Sequence, residues 1–247
     1  EGWTLLGALA ARTERVHLGT LVTGVTYRNP ALVAKMATTL DVISHGRAIC
    51  GLGAAWYDVE HVGLGFDYPR DGVRLDMLEE ALQICRAMFT EETPTFTGEH
   101  YRIQDAHNLP RPLRGDIPIL VGGGGEKRTL RMAAQYADGW NVPFIAPDQF
   151  AHKCQVLDEH CERVGRNPAD ITRAINVGLA FTEESLVQQF GKIADFVRPG
   201  VLSGNDEQIL DRIGNYVEAG ADQVNIALRA PFDLDSIERF AAALHLS

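Results

Sequence analysis

Four consecutive glycines at 122–125 stand between an apolar run and a helix-favouring segment, in the sequence ILVGGGGEKRTL. Glycine loses more conformational entropy on folding than any other residue, so such a run needs a structural or chemical reason. As the turn from a strand into a helix beginning near Glu126, the run would aim its N–H groups at one point and form a phosphate site. Lys127 or Arg128 would add positive charge. The alternative is a tight turn that lets a strand and a helix pack closely.

Two further apolar segments end in small residues, TLVTG at 20–24 and GLGAAW at 51–56. Small residues at strand ends allow a flat ligand to approach the backbone closely, and such a ligand brings its own reactivity. The glycine run matches neither GxxxxGK[ST] nor GxGxxG, so it indicates neither nucleotide hydrolysis nor a Rossmann site. These strand ends predict a protein that holds a cofactor.

Other chemistries lack their residues in this sequence. A Schiff-base enzyme needs a lysine at a strand end, whereas Lys35, Lys127, Lys153 and Lys192 all lie on or beside predicted helices. No HxH or HExxH motif offers metal ligands, so no metal site is predicted. No pair of acids occupies neighbouring strand ends, which argues against a glycosidase.

Composition narrows the class of protein. The 247 residues, 45% of them hydrophobic, suffice for a large α/β domain. The 23 basic and 33 acidic residues give a net charge of -10, which disfavours nucleic acid and anionic membranes as partners. The cysteines form no CxxC pair, and no apolar stretch approaches the roughly 20 residues of a membrane span, so we expect a cytoplasmic protein.

Short apolar runs alternate with segments of helical period, which predicts βα units with a parallel sheet. The predicted strands are 16–22, 47–53, 117–121, 139–143, 172–181 and 222–228, with helices after Asn29, over about 71–89 and after Asn205. Long loops are expected at 54–70 and at 91–116, where a hairpin turns at Gly98. The favoured fold is a single (β/α)8 TIM barrel domain over 1–247, with an open doubly wound sheet as the alternative. Because six strands are visible and the chain opens inside a helix, we expect the first two barrel strands to be absent.

Three ordered motifs closely resemble the luciferase-like monooxygenase superfamily, in particular its branch that depends on the deazaflavin coenzyme F420. They are LGTLVTGVTYRNPALVAKMATTLDVISHGRAICGLGAAWYDVEH, RLDMLEEALQICRAMFT and PILVGGGGEKRTLRMAAQYADGWN. The resemblance spans most of the chain and is strongest from 15 to 141. It implies a (β/α)8 barrel and an oxidoreductase that transfers a hydride between F420 and a small organic substrate. Relatives in this family also often form homodimers.

The resemblance also implies roles for particular residues. The cofactor ring would contact Leu21, Val22, Thr23, Gly53, Ala54 and Ala55, with a non-prolyl cis peptide bond between Leu21 and Val22 forming a bulge behind the ring. The tail phosphate would contact Gly122, Gly123, Gly124, Gly125, Glu126 and Lys127. Candidate catalytic residues on the substrate side are Trp56, Glu60 and His61, with Trp140 and Asn141 at a later strand end. His61 would donate a proton near neutral pH, and the alternative is an exposed loop histidine without a catalytic role. The alternative for Trp140 is a side chain that only packs in the core.

Three alternatives remain open from the sequence. An FMN-dependent monooxygenase would use the same barrel with a different cofactor. A non-catalytic flavin-binding protein would keep the pocket without turnover. A phosphate-binding barrel isomerase would use the glycine run for its substrate, but it needs an acid or a histidine at a strand end.

Overall fold

Strands alternate with helices along the described chain, residues 1–230 and 232–245 of the computed structural model. This confirms the predicted βα alternation. Two units can be distinguished, Glu1–Trp140 and Asn141–Ser247, and strand β7 (Gly139–Pro143) crosses from one into the other. The expectation of one domain over residues 1–247 stays a prediction.

The first unit centres on strand β3, Ala48–Gly53, which pairs in parallel with three other strands. These are β1 (Leu18–Gly19), β2 (Thr23–Gly24) and β6 (Ile119–Gly122). The helices are α1 (Gly2–Ala10), α2 (Pro30–Ile43), α3 (Asp58–Leu64), α4 (Asp71–Thr90) and α5 (Thr129–Tyr136). The register pairs Gly24 with Gly53 and Leu52 with Val121, so β2, β3 and β6 end at the same edge of the sheet.

Local signals explain where these helices lie. Asn29 caps α2 by accepting the Ala31 N–H at 2.9 Å, as its position before Pro30 predicted. Helix α4 buries Leu78, Leu82, Cys85 and Phe89 along one stripe. Burial of each large apolar side chain contributes about 1.5–3 kcal/mol, so this stripe fixes α4 against its neighbours α2, α5 and β3. The predicted hairpin also forms, from β4 (Phe96–Thr97) and β5 (Arg102–Ile103).

The second unit is built around strand β8, Thr172–Ala180, which pairs in parallel with two strands. They are β9 (Val201–Ser203) and β10 (Gln223–Ile226). The helices are α6 (Pro147–Val164), α7 (Glu183–Phe190), α8 (Ala194–Val197), α9 (Asp206–Glu218) and α10 (Leu234–Ala243). Asn205 and Gln208 form the predicted capping box at the start of α9, with both hydrogen bonds at 2.9 Å.

Three details differ from the predictions. The strand expected at 16–22 is shorter, since β1 covers only Leu18–Gly19 and a separate strand β2 follows at Thr23–Gly24; between them the Thr20 hydroxyl donates to the Gly51 carbonyl at 3.2 Å. The loop expected at 54–70 contains α3. Strand β9 was not predicted, because an apolar run of two residues is too short to indicate a strand.

Candidate functional site

Three of the predicted cofactor residues meet where β2, β3 and β6 end. A Cβ atom built on Gly53 would lie 2.6 Å from Val22 Cγ2, and one built on Gly122 would lie 2.8 Å from the same atom. Val22 therefore fits between two strands only because both positions lack a side chain. We call Val22, Gly53 and Gly122 the glycine shelf. The Leu21–Val22 peptide bond is cis, as the family resemblance predicted.

A chain of hydrogen bonds spans the segment that contains Val22. Trp3 Nε1 donates to Thr23 Oγ1 at 2.9 Å, the Thr23 and Thr20 hydroxyls lie 2.7 Å apart, and Thr20 donates to the Gly51 carbonyl. An indole N–H can only donate and a carbonyl can only accept, so Thr23 must donate to Thr20. Trp3 was not among the predicted site residues, because its partner lies 20 residues away in the chain.

The glycine loop differs in one respect from the prediction. Residues 126–128 form a turn, and α5 begins at Thr129 rather than near Glu126. Gly123 adopts a φ of +125°, which a residue with a side chain rarely does, and a Cβ on Gly125 would lie 2.9 Å from Thr129 Oγ1. The loop thus uses its glycines both for backbone conformation and for its contact with α5.

Two basic side chains next to the loop have different surroundings. Arg128 pairs with Asp76 of α4 at 2.6 Å and with Glu79 at 3.7 Å, so its charge is compensated within the unit. Lys127 is exposed and forms no ion pair with another described residue. Of the two cations considered from the sequence, Lys127 is the one left for a ligand.

Ala54 is held in place by a buried arginine that was not among the predicted site residues. Arg74 on α4 is only 5% exposed, and its Nε donates to the Ala54 carbonyl at 2.9 Å. Its guanidinium also lies 3.9 Å from the centre of the Tyr68 ring. Ala55 has a φ of +61°, an uncommon conformation for a residue with a Cβ. Arginine on a predicted helix gives no sequence signal for such a contact.

His61 lies on α3 and has no exposed surface, so the alternative of an exposed loop histidine is wrong. Its Nδ1 lies 2.7 Å from the Tyr57 carbonyl, and its Nε2 lies 2.6 Å from Thr26 Oγ1. A carbonyl only accepts, so Nδ1 carries a hydrogen, and in the neutral ring Nε2 then accepts from the Thr26 hydroxyl. Both ring nitrogens are therefore engaged within the protein.

Tyr27 connects His61 to Glu60. The Tyr27 hydroxyl donates to Glu60 Oε2 at 2.5 Å and lies 3.1 Å from His61 Nδ1, and the two rings stack with centres 4.3 Å apart. Burial and the hydrogen bond to the Glu60 carboxylate raise the pKa of Tyr27 to about 12. We call Thr26, Tyr27, Glu60 and His61 the His61 cluster. Trp56, by contrast, is 77% exposed and contacts the Tyr57 ring.

Two later candidate residues are buried. Trp140 Nε1 donates to the Gly123 carbonyl at 2.8 Å, so Trp140 supports the glycine loop in addition to filling space. Asn141 Nδ2 donates to Asn176 Oδ1 at 3.2 Å within the second unit. Within residues 1–230 and 232–245, no group of three His, Cys, Asp or Glu side chains is placed to hold a metal ion.

Solved structures establish the fold. An F420-dependent secondary alcohol dehydrogenase in complex with an F420-acetone adduct superposes with a TM-score of 0.87, covering 98% of this chain and 83% of that one. At 20% identity this likeness shows the fold alone, which is the α/β class of the luciferase-like (β/α)8 barrels, as predicted. The model of the luciferase-like monooxygenase family matches residues 1–197. The chain belongs to that family.

Curated relatives are similar to about two thirds of the chain. An F420-dependent glucose-6-phosphate dehydrogenase from Microbacterium testaceum is 32% identical over 179 residues, 71% of this chain and 52% of the relative. The pyrimidine monooxygenase RutA from Pseudomonas syringae pv. syringae is 36% identical over 174 residues, 68% of this chain and 47% of the relative. The chain therefore spans about half the length of the curated relatives it matches. None of the helices within the described residues offers a long enough apolar stretch for a membrane crossing.

Proposed function

We propose that the chain is the cofactor-binding part of an F420-dependent oxidoreductase acting on a small organic substrate. The glycine shelf is the observation that carries this proposal. Two glycines at adjacent strand ends leave room for Val22 alone, so the surface there is backbone and methyl groups, which suits the face of a planar ring.

The residues present fit a deazaflavin with a phosphorylated tail. Ala54, whose carbonyl is held by Arg74, and Ala55 would border the ring, and Leu21 and Thr23 would flank Val22 beneath it. The loop of Gly122, Gly123, Gly124 and Gly125, followed by Glu126 and the exposed Lys127, would hold the tail phosphate through backbone N–H groups and one ammonium.

The chemistry divides between the cofactor and the chain. When bound, a deazaflavin supplies two-electron hydride transfer. The chain orients the reactants and excludes water from the reacting atoms, and such positioning accounts for a large part of many enzymatic barriers. Similarity to an F420-dependent glucose-6-phosphate dehydrogenase supports this assignment.

The second candidate is an FMN-dependent monooxygenase on the same fold, which similarity to a pyrimidine monooxygenase favours. A fluorescence titration of the purified full-length protein with F420 and, separately, with FMN distinguishes the two. Tight binding of F420 alone supports the proposal, and a preference for FMN supports the second candidate. Binding of neither contradicts both.

A variant pair ties the result to the glycine shelf. Gly122→Ala places a methyl group 2.8 Å from Val22 Cγ2 and should weaken cofactor binding at least tenfold. Gly63→Ala on α3 is the matched control, because a Cβ there meets nothing within 4 Å. Unchanged affinity in Gly122→Ala would place the cofactor elsewhere.

A further inference from the structure

Tyr27 stands where β2 and β3 end and is not among the site residues predicted from the sequence. A Cβ built on Gly24 would lie 3.1 Å from the Tyr27 ring and 3.1 Å from the Ala55 Cβ. The ring therefore lies against the end of β2, next to a residue proposed to border the cofactor. Its hydroxyl belongs to the His61 cluster, 2.5 Å from Glu60.

Accessibility separates the members of the cluster. His61 has no exposed surface, so it cannot touch a substrate. Tyr27 is half-buried and Glu60 is exposed. A proton taken up from a ligand at Tyr27 can thus pass to Glu60 and on to water, whereas His61 can act only by holding Tyr27 in place.

We propose that Tyr27 and Glu60 form a proton-transfer pair that accepts the hydroxyl proton of an alcohol substrate, with His61 and Thr26 as positioning residues. This inference rests on the proposed function, which supplies the hydride acceptor. It adds a catalytic residue, a substrate class and a direction of reaction to that function.

The step balances as an alcohol oxidation. The carbinol C–H bond breaks and its electron pair leaves as hydride to the deazaflavin, which is reduced. The alcohol O–H proton moves to the Tyr27 oxygen as the Tyr27 proton moves to the Glu60 carboxylate, and the C–O bond becomes a carbonyl. Glu60 then releases its proton to water.

The hydrogen-bond directions support this role. Tyr27 already donates to Glu60, so the pair can receive a proton without rearrangement. His61 Nδ1–H points to the Tyr57 carbonyl and to the Tyr27 oxygen, which fixes the phenol ring. The Tyr27 ring also meets the Phe66 ring edge-to-face at 5.2 Å, and the nearby Tyr68 ring is covered by the Arg74 guanidinium.

A measurement without substrate tests the sharing of the proton. Protein labelled with 13Cζ-tyrosine is titrated to about pH 11 as wild type and as Glu60→Gln, with the Tyr27 signal assigned from Tyr27→Phe. We expect Tyr27 to stay protonated in the wild type and to begin to ionise in Glu60→Gln, because burial and the Glu60 carboxylate together raise its pKa and the substitution leaves burial alone to do so. Identical titration of Tyr27 in both proteins would overturn the proposal.

Turnover tests the catalytic role. F420 reduction is followed by absorbance with 2-propanol and with glucose 6-phosphate as probes, for wild type, Tyr27→Phe, Glu60→Gln and the double variant. Tyr27→Phe should lower kcat roughly 100-fold while the F420 Kd stays within about twofold of the wild-type value. The double variant should turn over no more slowly than Tyr27→Phe alone, because the two residues act as one pair. Tyr68→Phe is the matched control, since it removes a hydroxyl from a ring that also contacts His61.

The outcomes separate the two proposals. If the wild type does not bind F420, the proposed function fails, while the titration still reports on the Tyr27–Glu60 pair. If it binds F420 but oxidises neither alcohol, or if Tyr27→Phe keeps the wild-type kcat, the catalytic assignment is wrong although the cofactor assignment stands.

Discussion

The glycine shelf and the His61 cluster lie in the same unit and position their atoms by different means. The shelf depends on the absence of side chains, since Val22 occupies the space that a Cβ on Gly53 or Gly122 would need. The His61 cluster depends on side chains that satisfy one another through hydrogen bonds of 2.5–3.1 Å. A backbone surface therefore tolerates no added atoms, and a hydrogen-bonded cluster tolerates no removed ones.

Adding one methyl group beside the shelf gives the largest expected effect. A Cβ on Gly51 would lie 1.9 Å from the Thr20 carbonyl oxygen, a backbone atom that can move only with its strand. We expect Gly51→Ala to lower the free energy of unfolding by about 3 kcal/mol in urea denaturation. Gly63→Ala is the control and should be neutral or stabilising by about 1 kcal/mol, because alanine favours helix. Equal stability of both variants would contradict the close approach.

Removing hydrogen-bonding atoms from the His61 cluster should give the second largest loss in the free energy of unfolding. His61→Phe keeps a buried ring but leaves the Thr26 hydroxyl and the Tyr57 carbonyl without their partner. We expect a loss of about 2 kcal/mol in the same unfolding measurement. Trp56→Ala, a larger truncation at a 77% exposed position, should change stability by less than about 0.5 kcal/mol. If Trp56→Ala cost more than His61→Phe, the cluster would contribute nothing specific.

The same contrast explains what the sequence could predict. Four successive glycines and the small residues after β3 carry their own signal, since glycine is needed wherever backbones approach closely. Glu60 and His61 were proposed because the motif that contains them resembles the family. Tyr27 and Arg74 gave no such signal, because their roles arise from partners 33 and 20 residues away in the chain. Contacts of this range are set by how β2, α3 and α4 pack, which no local pattern encodes.

The hydrogen-bond chain behind the shelf combines both means of positioning. Thr23→Val keeps the shape of the side chain but leaves the buried Trp3 N–H without an acceptor, at a cost of about 1 kcal/mol. Thr23→Ser keeps the hydroxyl and should retain wild-type stability and cofactor affinity. Urea denaturation and the F420 titration measure both. A loss in Thr23→Ser without a loss in Thr23→Val would mean that the methyl group, and not the chain of hydroxyls, supports Val22.

The smallest expected effect is a loss of stability at alkaline pH, which we compare between Tyr101, next to the end of β2, and Tyr27 of the His61 cluster. Tyr101 donates to the Val25 carbonyl just after β2, and burial raises its pKa to about 12, as it does for Tyr27 in the His61 cluster. A tyrosine in the unfolded chain ionises near pH 10, so the folded state binds more protons between pH 10 and 12, and stability present below pH 10 falls as the pH rises.

We expect Tyr101→Phe to reduce this fall in urea denaturation at pH 9, 10 and 11. Tyr27→Phe should reduce it less, because the exposed Glu60 that acts on Tyr27 is screened by water. A larger reduction in Tyr27→Phe would mean that folding raises the pKa of Tyr27 more than that of Tyr101. The proton of Tyr27 would then be held more tightly than transfer to Glu60 requires.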